Sequence, residues 1–514
     1  MPFLPCLLLF FSLFLNISLS QTPPKGFFLD CGAASSSTID GLTWIPDSEF
    51  ISTGTAKNLT TPGLAQTLST VRSFPLQDKK NCYNFLVYSG ARYMVRTTYF
   101  YGGVNGPDHP SPPVFDQMVD GTFWSVVNTT ADYANGNYTN YEGVFLAQGK
   151  TMTICIGSNT YTDSDPFISA LQLVILGGSL YNATDFDKYG LSLVARHNFG
   201  YSGPPIRYPD DQFDRFWAPF TPSNSSHSGS SNASVSGIWN LPPSKIFDTW
   251  LGSDQLESLH LAWPEALLPN SNYSIALYFA DYSGSSSGRP RILNISVNGI
   301  RYYNGLNVTE AGVVVFANLW PLSGPTTITL DPASTSPLGP LISAGEIFQM
   351  LPLGGRTLTR DVIALEKIKE SLQNPPRDWN GDPCMPRQYS WTGVTCSEGT
   401  NIRIVNLNLT SMNLSGSLSP YVANLTALTN IWLGNNNLSG QIPDLSSLRM
   451  LETLHLEDNQ FTGEIPSSLG NISRLNELFL QNNNLTGQIP PNLNGKPGLD
   501  LRTSGNNFSS PPPS

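Results

Sequence analysis

The C-terminal part of the chain carries a repeat of 23 or 24 residues, and this repeat constrains the fold more than any other sequence feature. Leu428–Gly440, Leu451–Gly463 and Leu475–Gly487 each read L-x-x-[LI]-x-L-x-x-N-x-[LF]-[ST]-G. The leucines of each short strand point into a shared core, and the Asn bonds the backbone between turns, so each coil is stabilised by its neighbours. We therefore predict a solenoid of such coils over residues 401–508, followed by a Pro-rich tail at 509–514.

A cap for the open end of this solenoid is predicted at residues 356–400. The spacing of Leu365, Ile368 and Leu372 places three apolar side chains on one stripe and predicts an amphipathic helix from Thr359. A short Cys loop follows, and we predict that a disulfide closes it, between Cys384 and Cys396. Because the pair lacks the two CxxC motifs of a zinc ribbon, no metal is expected there.

The first 355 residues contain a longer internal duplication. Pro166–Ala170 matches Pro340–Ala344, and further matches follow at an offset that drifts slowly along the chain. Short segments alternate apolar and polar residues between Gly and Pro, which is typical of half-buried strands. We predict a mainly β fold with one β-sandwich at residues 21–195 and a second at residues 196–355. The Ser- and Asn-rich insertion Ser223–Gly237 is predicted to be a loop.

The N-terminus predicts export from the cell. Phe3–Leu19 is an almost unbroken apolar run, so residues 1–20 are predicted to be a signal peptide cleaved before Gln21. Nothing later in the chain is apolar enough to predict a membrane span, and no direct membrane insertion is expected. Sixteen N-x-[S/T] sequons follow, a density typical of a secreted glycoprotein. We predict glycosylation at Asn58, Asn128, Asn137, Asn182, Asn224, Asn232, Asn272, Asn294, Asn307, Asn408, Asn413, Asn424, Asn437, Asn471, Asn484 and Asn507.

Charge and cysteine content restrict the partners and the covalent structure. Asp and Glu number 38 against 27 Lys and Arg, a formal net charge of −11, so no basic face is available to bind nucleic-acid phosphates. Without the signal peptide and the cap pair, three cysteines are left: Cys31, Cys82 and Cys155. One thiol must therefore stay unpaired in an oxidising compartment, and the sequence leaves open which two pair.

Several motifs resemble the tandem malectin-like ectodomain of plant receptor-like kinases and receptor-like proteins. They are Phe28–Gly32, Asn81–Tyr83, Pro166–Leu171, and Ile206–Asp211 with Asp214 and Arg215. The repeats resemble the plant extracellular class of leucine-rich repeats (LRRs), joined in the same order as in those receptors. The resemblance implies two tandem malectin-like β-sandwiches followed by a short LRR solenoid with a helical, disulfide-closed N-terminal cap. In contrast to the receptor kinases, we expect neither a transmembrane helix nor a kinase domain within these 514 residues.

By analogy with animal malectin, this resemblance implies a disaccharide or cell-wall glycan as a ligand. Such a site needs flat aromatic faces against the sugar ring and carboxylate or amide groups for its hydroxyls. The candidates in the first copy are Tyr99, Tyr101, Tyr161 and Asp163, and those in the second are Tyr278, Asp281 and Tyr282. The alternative is that alternate aromatics on a strand fill the sandwich core.

The solenoid offers a different candidate site. Strand positions between the leucines face outward on the concave side, and one column of these positions holds Asn408, Trp432, His455 and Phe479. Three rings in line predict a docking stripe for a peptide or a partner receptor, with Glu457, Asp458 and Glu477 beside it. The alternative is ordinary stacking of rings along the solenoid.

No motif indicates catalysis. Gly284–Gly288 satisfies G-x-S-x-G, but it lies in a Ser-rich turn before a strand, whereas a nucleophile elbow follows a strand and begins a helix. The carboxylates Asp210, Asp211 and Asp214 lie beside Arg207 and Arg215, which favours structural ion pairs over acid–base chemistry or Ca²⁺ binding. We therefore expect neither a catalytic residue nor a cofactor nor a metal site.

The sequence as a whole predicts recognition without catalysis. We expect a secreted, receptor-like protein of the apoplast or cell wall that binds a cell-wall oligosaccharide or a peptide. It would associate with receptor-like kinase ectodomains and be held at the plasma membrane through such a partner. The alternative is an extracellular wall-structural protein or a hydrolase inhibitor, which would block a wall-degrading enzyme with its repeat stack.

Overall fold

The structure, a computed structural model, describes residues 23–222, 228–230, 235–253, 255–281, 289–399 and 401–509. Several predictions concern residues outside these ranges. They are the signal peptide, most of the Pro-rich tail, the sequons at Asn224 and Asn232, the sugar contact Tyr282 and the G-x-S-x-G segment. The described chain is mainly β, as the sequence predicts.

The first sandwich is built from thirteen strands and a short helix. The strands are β1 (Gly26–Asp30), β2 (Ser37–Ile39), β3 (Leu42–Pro46), β4 (Thr55–Asn58), β5 (Thr70–Ser73), β6 (Lys80–Leu86), β7 (Arg92–Tyr99), β8 (Phe115–Val119), β9 (Thr122–Val127), β10 (Thr139–Leu146), β11 (Thr151–Ser158), β12 (Phe167–Ile168) and β13 (Ala170–Leu176). Helix α1 (Thr130–Ala134) follows β9. One layer contains β1, β13, β7 and β10, and the facing layer is β6-β11-β8-β9. Aromatic and aliphatic side chains fill the space between them, among them Val95, Trp124 and Ile154.

The second sandwich repeats this plan. Its strands are β14 (Tyr189–Phe199), β15 (Ala218–Phe220), β16 (Ser228–Ser230), β17 (Thr249–Gly252), β18 (Leu259–Ala262), β19 (Leu268–Phe279), β20 (Arg291–Val297), β21 (Ile300–Val308), β22 (Val313–Gly324), β23 (Thr327–Pro332), β24 (Leu341–Ile342) and β25 (Ala344–Pro352). Here β18-β23-β20-β21 form the layer that faces β14, β25, β19 and β22.

One continuous sheet joins the two sandwiches. Strand β10 pairs with β14 through Gly143↔Ser192 and Val144↔Leu191, so eleven strands form a single sheet whose main path is β2-β3-β1-β13-β7-β10-β14-β25-β19-β22. The predicted boundary between residues 195 and 196 falls inside β14. The two units are therefore held together by backbone hydrogen bonds across a sheet, and no flexible linker separates them.

The predicted duplication is confirmed by matched turns. The hairpin between β8 and β9 turns at Asp120 and Gly121, and the one between β20 and β21 turns at Asn298 and Gly299, all with positive φ. Asp, Asn and Gly tolerate this backbone conformation, which two-residue hairpins need.

The insertion Ser223–Gly237, predicted to be a loop, contains one short strand. Its residues 228–230 form β16, which pairs with β17.

The cap begins with the predicted helix, which is confirmed as α2 (Thr359–Ser371) and buries Leu365 and Ile368. The disulfide between Cys384 and Cys396 is also confirmed. The strands that follow are β26 (Val394–Cys396), β27 (Ile404–Asn408), β28 (Ser415–Ser417), β29 (Asn430–Trp432), β30 (Asn437–Gln441), β31 (Thr453–His455), β32 (Gln460–Gly463), β33 (Glu477–Phe479), β34 (Asn484–Leu485) and β35 (Asp500–Arg502). They form a six-stranded concave sheet, β26-β27-β29-β31-β33-β35, and a four-stranded flank, β28-β30-β32-β34.

A ladder of asparagines ties the coils together, as the repeat predicts. Asn459 donates from Nδ2 to the Leu433 carbonyl of the preceding coil (2.9 Å), and its Oδ1 accepts from the Leu438 N–H (3.0 Å). Asn436 and Asn483 make corresponding bonds. Because these groups would otherwise be buried without partners, each Asn stabilises the turn of its coil.

The cysteines of the first sandwich pair across two neighbouring strands. Cys82 on β6 and Cys155 on β11 lie directly opposite each other and form a disulfide, which leaves Cys31 as a buried free thiol. The LRR cap sits on this disulfide, because a Cβ atom on Gly381 would lie only 2.6 Å from Cys82 Sγ. The first sandwich and the solenoid therefore meet directly through the cap.

Candidate functional site

The concave column predicted from the repeat is confirmed in register. Asn408 pairs with Trp432, Trp432 with His455, and His455 with Phe479 on successive parallel strands. The column continues to Arg502, which pairs with Phe479 and which the sequence analysis did not include. Since neighbouring parallel strands lie about 4.8 Å apart, side chains at matched positions form one line. We call Trp432, His455, Phe479 and Arg502 the concave stripe.

Contacts within the stripe make it a preformed surface. The rings of His455 and Phe479 stack with centroids 4.1 Å apart and planes inclined by 11°. The Arg502 guanidinium also lies over the Phe479 ring, with its central carbon 3.9 Å from the ring centroid. His455 Nε2 lies 3.1 Å from Glu477 Oε2, which holds the imidazole plane. The rings are half-buried, so their remaining faces and edges are open to a ligand.

Two acceptor atoms beside the stripe are buried without hydrogen-bond partners among the described residues. They are Oε2 of Glu457 and Oε1 of Gln481. These side chains stand two residues after His455 and Phe479, so they occupy the same position in adjacent coils. Because the surrounding protein encloses both atoms, a ligand lying on the stripe does not contact them. Asp500 and Arg502 form an ion pair at the C-terminal end, with Nη2 and Oδ2 2.7 Å apart.

The predicted sequons leave the concave surface largely free. Thirteen of the fourteen sequon asparagines in the described residues are exposed, and Asn294 is half-buried. On the solenoid, Asn413, Asn437, Asn484 and Asn507 follow the ladder asparagines or their equivalents and lie along the flank. Asn408 alone lies in the concave column, at its N-terminal end.

Four of the predicted sugar contacts in the sandwiches are wrong, because their side chains are buried and cannot touch a ligand. Tyr99, Tyr101 and Tyr278 have 0–1% of their surface exposed, and Asp281 has 2%. The Tyr99 ring packs against Phe115 and Phe167 of the sandwich core. No face of these rings is available to stack on a sugar, so the alternative interpretation of core filling applies to them.

The other two described candidates are on the surface. Tyr161 is 80% exposed, and Asp163 is exposed in the same loop. This loop is shaped by Asn159, whose Oδ1 accepts from the Tyr161 N–H (2.8 Å). Tyr282, the remaining candidate, lies outside the described residues.

The acidic cluster around Asp211 and Asp214 is structural, as predicted. Arg215 Nε donates to Asp211 Oδ2 (2.9 Å), and both side chains are fully buried. Asp214 accepts from Arg207 Nε (2.8 Å) and from Arg96 Nη1 (3.2 Å), the latter on the shared sheet. Each carboxylate is matched by guanidinium groups, as buried charges require, and none is free for acid–base chemistry.

The same network crosses the seam between the sandwiches. Glu142 of β10 accepts from Arg96 and Arg196, at 2.6 and 2.7 Å, and Arg196 also donates to Glu346 of β25 at 2.7 Å. Burial opposes ionisation of Glu142, but the two guanidinium groups outweigh it and lower its pKa. These charges therefore fix the two sandwiches against each other.

Within the described residues, no group of three or more His, Cys, Asp or Glu side chains is arranged to hold a metal ion. In that same part of the chain, no helix has both the length and the apolar character that crossing a membrane requires.

Family models define the class of this chain. The malectin-like domain model matches residues 29–350, the LRR N-terminal domain model matches residues 358–397, and the LRR model matches residues 450–472 and 474–495. These are non-catalytic ectodomain modules, and no kinase domain is present in the 514 residues. The chain belongs to the malectin-like domain family, and the resemblance seen in its sequence is confirmed.

Its relatives are plant receptor kinases. The chain is 32% identical over 474 residues to the probable LRR receptor-like serine/threonine-protein kinase At1g67720 of Arabidopsis thaliana, covering 84% of this chain and 48% of the relative. It is 31% identical over 424 residues to the LRR receptor-like kinase At2g14510 of the same plant, covering 79% and 47%. The chain thus spans about half the length of the curated relatives it matches.

Solved ectodomains share the fold. The ANX2 ectodomain of Arabidopsis thaliana superposes with a TM-score of 0.53 at 15% identity, covering 63% of this chain and 97% of that one. A structure of the plant peptide RALF23 in complex with FER and LLG2 matches with a TM-score of 0.54 at 17% identity, covering 64% and 96%. The chain is therefore similar in fold to these solved plant proteins.

Proposed function

We propose that this protein is an extracellular recognition module whose concave stripe binds an extended peptide, either free or as a segment of a partner receptor. The observation that carries the proposal is the in-register line of Trp432, His455, Phe479 and Arg502. Aromatic and arginine side chains dominate the energy of protein interfaces, because they bury much area at low entropic cost.

The polar groups beside the stripe support a peptide as the ligand. Asp458 is exposed and the Glu477 side chain is 47% exposed, so their carboxylates can accept from the N–H groups that a peptide backbone supplies at regular spacing. A chain lying across the strands would meet one ring for each coil it crosses. Stacking of His455 on Phe479 fixes both rings before binding, which lowers the entropy cost of the complex.

The relatives support the same role. One structure that matches the fold contains the peptide RALF23 with the receptor kinase FER and LLG2, and the curated relatives are receptor kinases. In our proposal this chain associates with receptor-kinase ectodomains, and the partner supplies the kinase. The N-terminal apolar run and the exposed sequons support secretion into the apoplast and glycosylation.

The proposal is tested by panning a displayed random-peptide library against the full chain, made in a glycosylating host. Bound peptides are counter-selected on a Phe479→Ala variant. We expect peptides that bind the native chain at least tenfold more tightly than Phe479→Ala or Trp432→Ala. The matched control is Tyr421→Ala, because Tyr421 is 44% exposed but lies in the turn Pro420–Asn424, outside the concave sheet.

Three outcomes would count against this function. Peptides that bind Phe479→Ala as tightly as the native chain would remove the stripe from recognition, and so would an equal loss in Tyr421→Ala. Failure of every receptor-kinase ectodomain to be captured, together with inhibition of a wall-degrading hydrolase by the chain, would favour the inhibitor alternative instead.

A further inference from the structure

An aromatic stack lies on the surface of the second sandwich. Trp239, in the segment before β17, lies parallel to Phe316 of β22, with ring centroids 4.0 Å apart and planes inclined by 9°. Phe316 is 43% exposed and Trp239 is half-buried, so both rings are partly open to solvent. We call this pair the aromatic platform. Exposed aromatic patches of this kind often mark a surface that a ligand or another part of the molecule covers.

A predicted glycosylation sequon lies at the edge of the aromatic platform. Asn182, in the segment between β13 and β14, begins Asn-Ala-Thr and is exposed. Trp239 Nε1 donates to Asn182 Oδ1 (2.8 Å), across 57 positions of sequence. Because the indole N–H can only donate, the amide must turn its oxygen toward the ring. Among the fourteen sequon asparagines in the described residues, only Asn182 has a side chain that bonds an aromatic ring.

The same hydrogen bond places the atom to which a glycan is attached. In N-glycosylation C1 of a lipid-linked oligosaccharide bonds the amide Nδ2, and one amide proton and the lipid diphosphate leave. In any amide group the nitrogen is about 2.3 Å from the oxygen, so Nδ2 of Asn182 lies within about 5 Å of Trp239 Nε1. Glycosylation leaves Oδ1 as an acceptor, and the bond from Trp239 is therefore compatible with a sugar on Nδ2.

The aromatic platform is held in place beside the sequon. The N–H of Tyr181, the residue before the sequon, donates to Asn240 Oδ1 (2.6 Å). The buried Arg215 donates from Nη1 to the Asn240 carbonyl (2.8 Å) and from Nη2 to the Leu241 carbonyl (2.6 Å). The turn that carries Trp239 is thus fixed before any sugar is attached, which lowers the entropy cost of a contact with one.

We infer that the aromatic platform receives this chain's own N-glycan, with the first N-acetylglucosamine of the Asn182 glycan packed against Trp239. The apolar C–H groups and the acetamide methyl group of that sugar match the surface of an aromatic ring. The covalent link makes the contact intramolecular, so a sugar that binds too weakly to be captured from solution still occupies the platform. The contact buries apolar surface and stabilises the packing of the segment before β14 on the second sandwich.

The inference rests on the secretion and glycosylation proposed above, and it gives one glycan a defined structural role. An aromatic platform covered by a sugar is not available to a protein partner, whereas the concave stripe stays open. The two aromatic surfaces of the chain therefore differ in what they contact: a glycan of the chain itself on the second sandwich, and a peptide on the solenoid.

The test compares the full chain, made in a glycosylating host, with variants that differ in one sequon. Thr184→Val removes the sequon but keeps Asn182, whereas Thr184→Ser keeps both. Thr184 Oγ1 forms no hydrogen bond with another residue in the described part of the chain, so neither change breaks one. The matched control is Thr60→Val, which removes the sequon of Asn58, an exposed residue of β4. Glycopeptide mass spectrometry measures occupancy, and hydroxyl-radical footprinting measures how fast Trp239 is oxidised.

We expect Asn182 to carry a glycan in the native chain and in Thr184→Ser, and Trp239 to be oxidised at least threefold faster in Thr184→Val alone. The unfolding temperature of Thr184→Val should fall by a few degrees, and in a Trp239→Ala background the same change should have no effect.

Three results would overturn the inference. They are an unoccupied Asn182, equal oxidation of Trp239 with and without the glycan, and the same increase in Thr60→Val. Glycans at other sequons with Asn182 unoccupied would leave the proposed secretion and glycosylation standing. Peptide capture by these variants reports separately on the concave stripe, so the proposed function and this inference fail independently.

Discussion

Gly381 of the LRR cap lies against Cys82 of the first sandwich so closely that a Cβ atom on Gly381 would be 2.6 Å from the Cys82 Sγ atom. Gly381 also has a φ of +63°, a conformation that favours glycine. Around it, Lys80 Nζ donates to the Asp382 carbonyl (2.6 Å) and Tyr389 bonds Asp116. The sandwich and the solenoid are thus joined by a fitted interface between residues about 300 positions apart.

A methyl group at Gly381 should loosen this interface. We expect Gly381→Ala to cost about 1–3 kcal/mol, because both the backbone strain and the clash with the disulfide must be relieved by movement. The measurement is the unfolding temperature, together with hydrogen exchange over residues 379–391. The matched control is Gly399→Ala, since Gly399 has φ +90° but nothing within 4 Å of its Cβ position. Equal effects in both variants would show that the contact with Cys82 contributes nothing.

Removing the disulfide beneath the cap should cost more than removing the one inside it. Cys82 and Cys155 are separated by 73 residues, and Cys384 and Cys396 by 12. The longer loop loses more chain entropy when closed, which predicts about 4 kcal/mol against about 3 kcal/mol. Urea unfolding of the two double Cys→Ala variants of the full chain checks this order. A Cys82/Cys155 variant with the native urea midpoint would contradict it.

Replacing a buried asparagine of the ladder should lower the free energy of unfolding, whereas replacing an exposed asparagine nearby should not. Asn459 is 9% exposed and bonds the Leu433 carbonyl and the Leu438 N–H. In Asn459→Ala the Leu438 N–H loses its acceptor, whereas the Leu433 carbonyl keeps the bond from Asn436 Nδ2 (3.0 Å). The expected loss of stability is therefore about 1–3 kcal/mol, for one buried backbone group without a partner. The loss of unfolding free energy is measured by urea unfolding, monitored through the fluorescence of the tryptophans in the cap and solenoid. Asn476→Ala, at an exposed position, should unfold like the native chain.

The solenoid was predictable in detail because its periodicity fixes geometry. A repeat of 23 or 24 residues determines which positions face outward, so the register of Trp432, His455 and Phe479 followed from counting. Arg502 was missed, since the last coil lacks the full repeat motif, although the spacing of 23 residues from Phe479 was a usable signal. The ion pairs of Asp211 and Asp214 were predictable for a similar reason, because their arginines are close in sequence.

The sandwich sites were not predictable in the same way. Aromatic residues alternate along strands whether they fill a core or cover a surface, so Tyr99 and Tyr278 could not be told from Tyr161 before the layers were known. The bond between Tyr389 and Asp116 joins residues 273 positions apart. No local pattern encodes such a contact, which forms only when the cap is docked on the sandwich.

Stability in mild acid should depend on one histidine of the second sandwich. His197 stacks on Phe220, and its Nδ1 accepts from Trp263 Nε1 (2.7 Å). Burial lowers its pKa from 6.5 to about 4. Between pH 6.5 and 4 the unfolded chain therefore binds this proton and the folded chain does not. The resulting stability is complete above pH 6.5 and is lost as the pH falls towards 4.

At pH 4.5 this linkage amounts to about 2–3 kcal/mol relative to pH 7, since each unit of pKa shift corresponds to about 1.4 kcal/mol. The measurement is the free energy of urea unfolding at the two pH values, in the native chain and in His197→Asn. Asn places an acceptor near the Nδ1 position but does not titrate. We expect the variant to be less stable at pH 7, because it loses the stack on Phe220, yet to lose about 2–3 kcal/mol less on acidification. If both chains lose the same free energy between pH 7 and 4.5, the protonation of His197 does not limit the acid stability of the second sandwich.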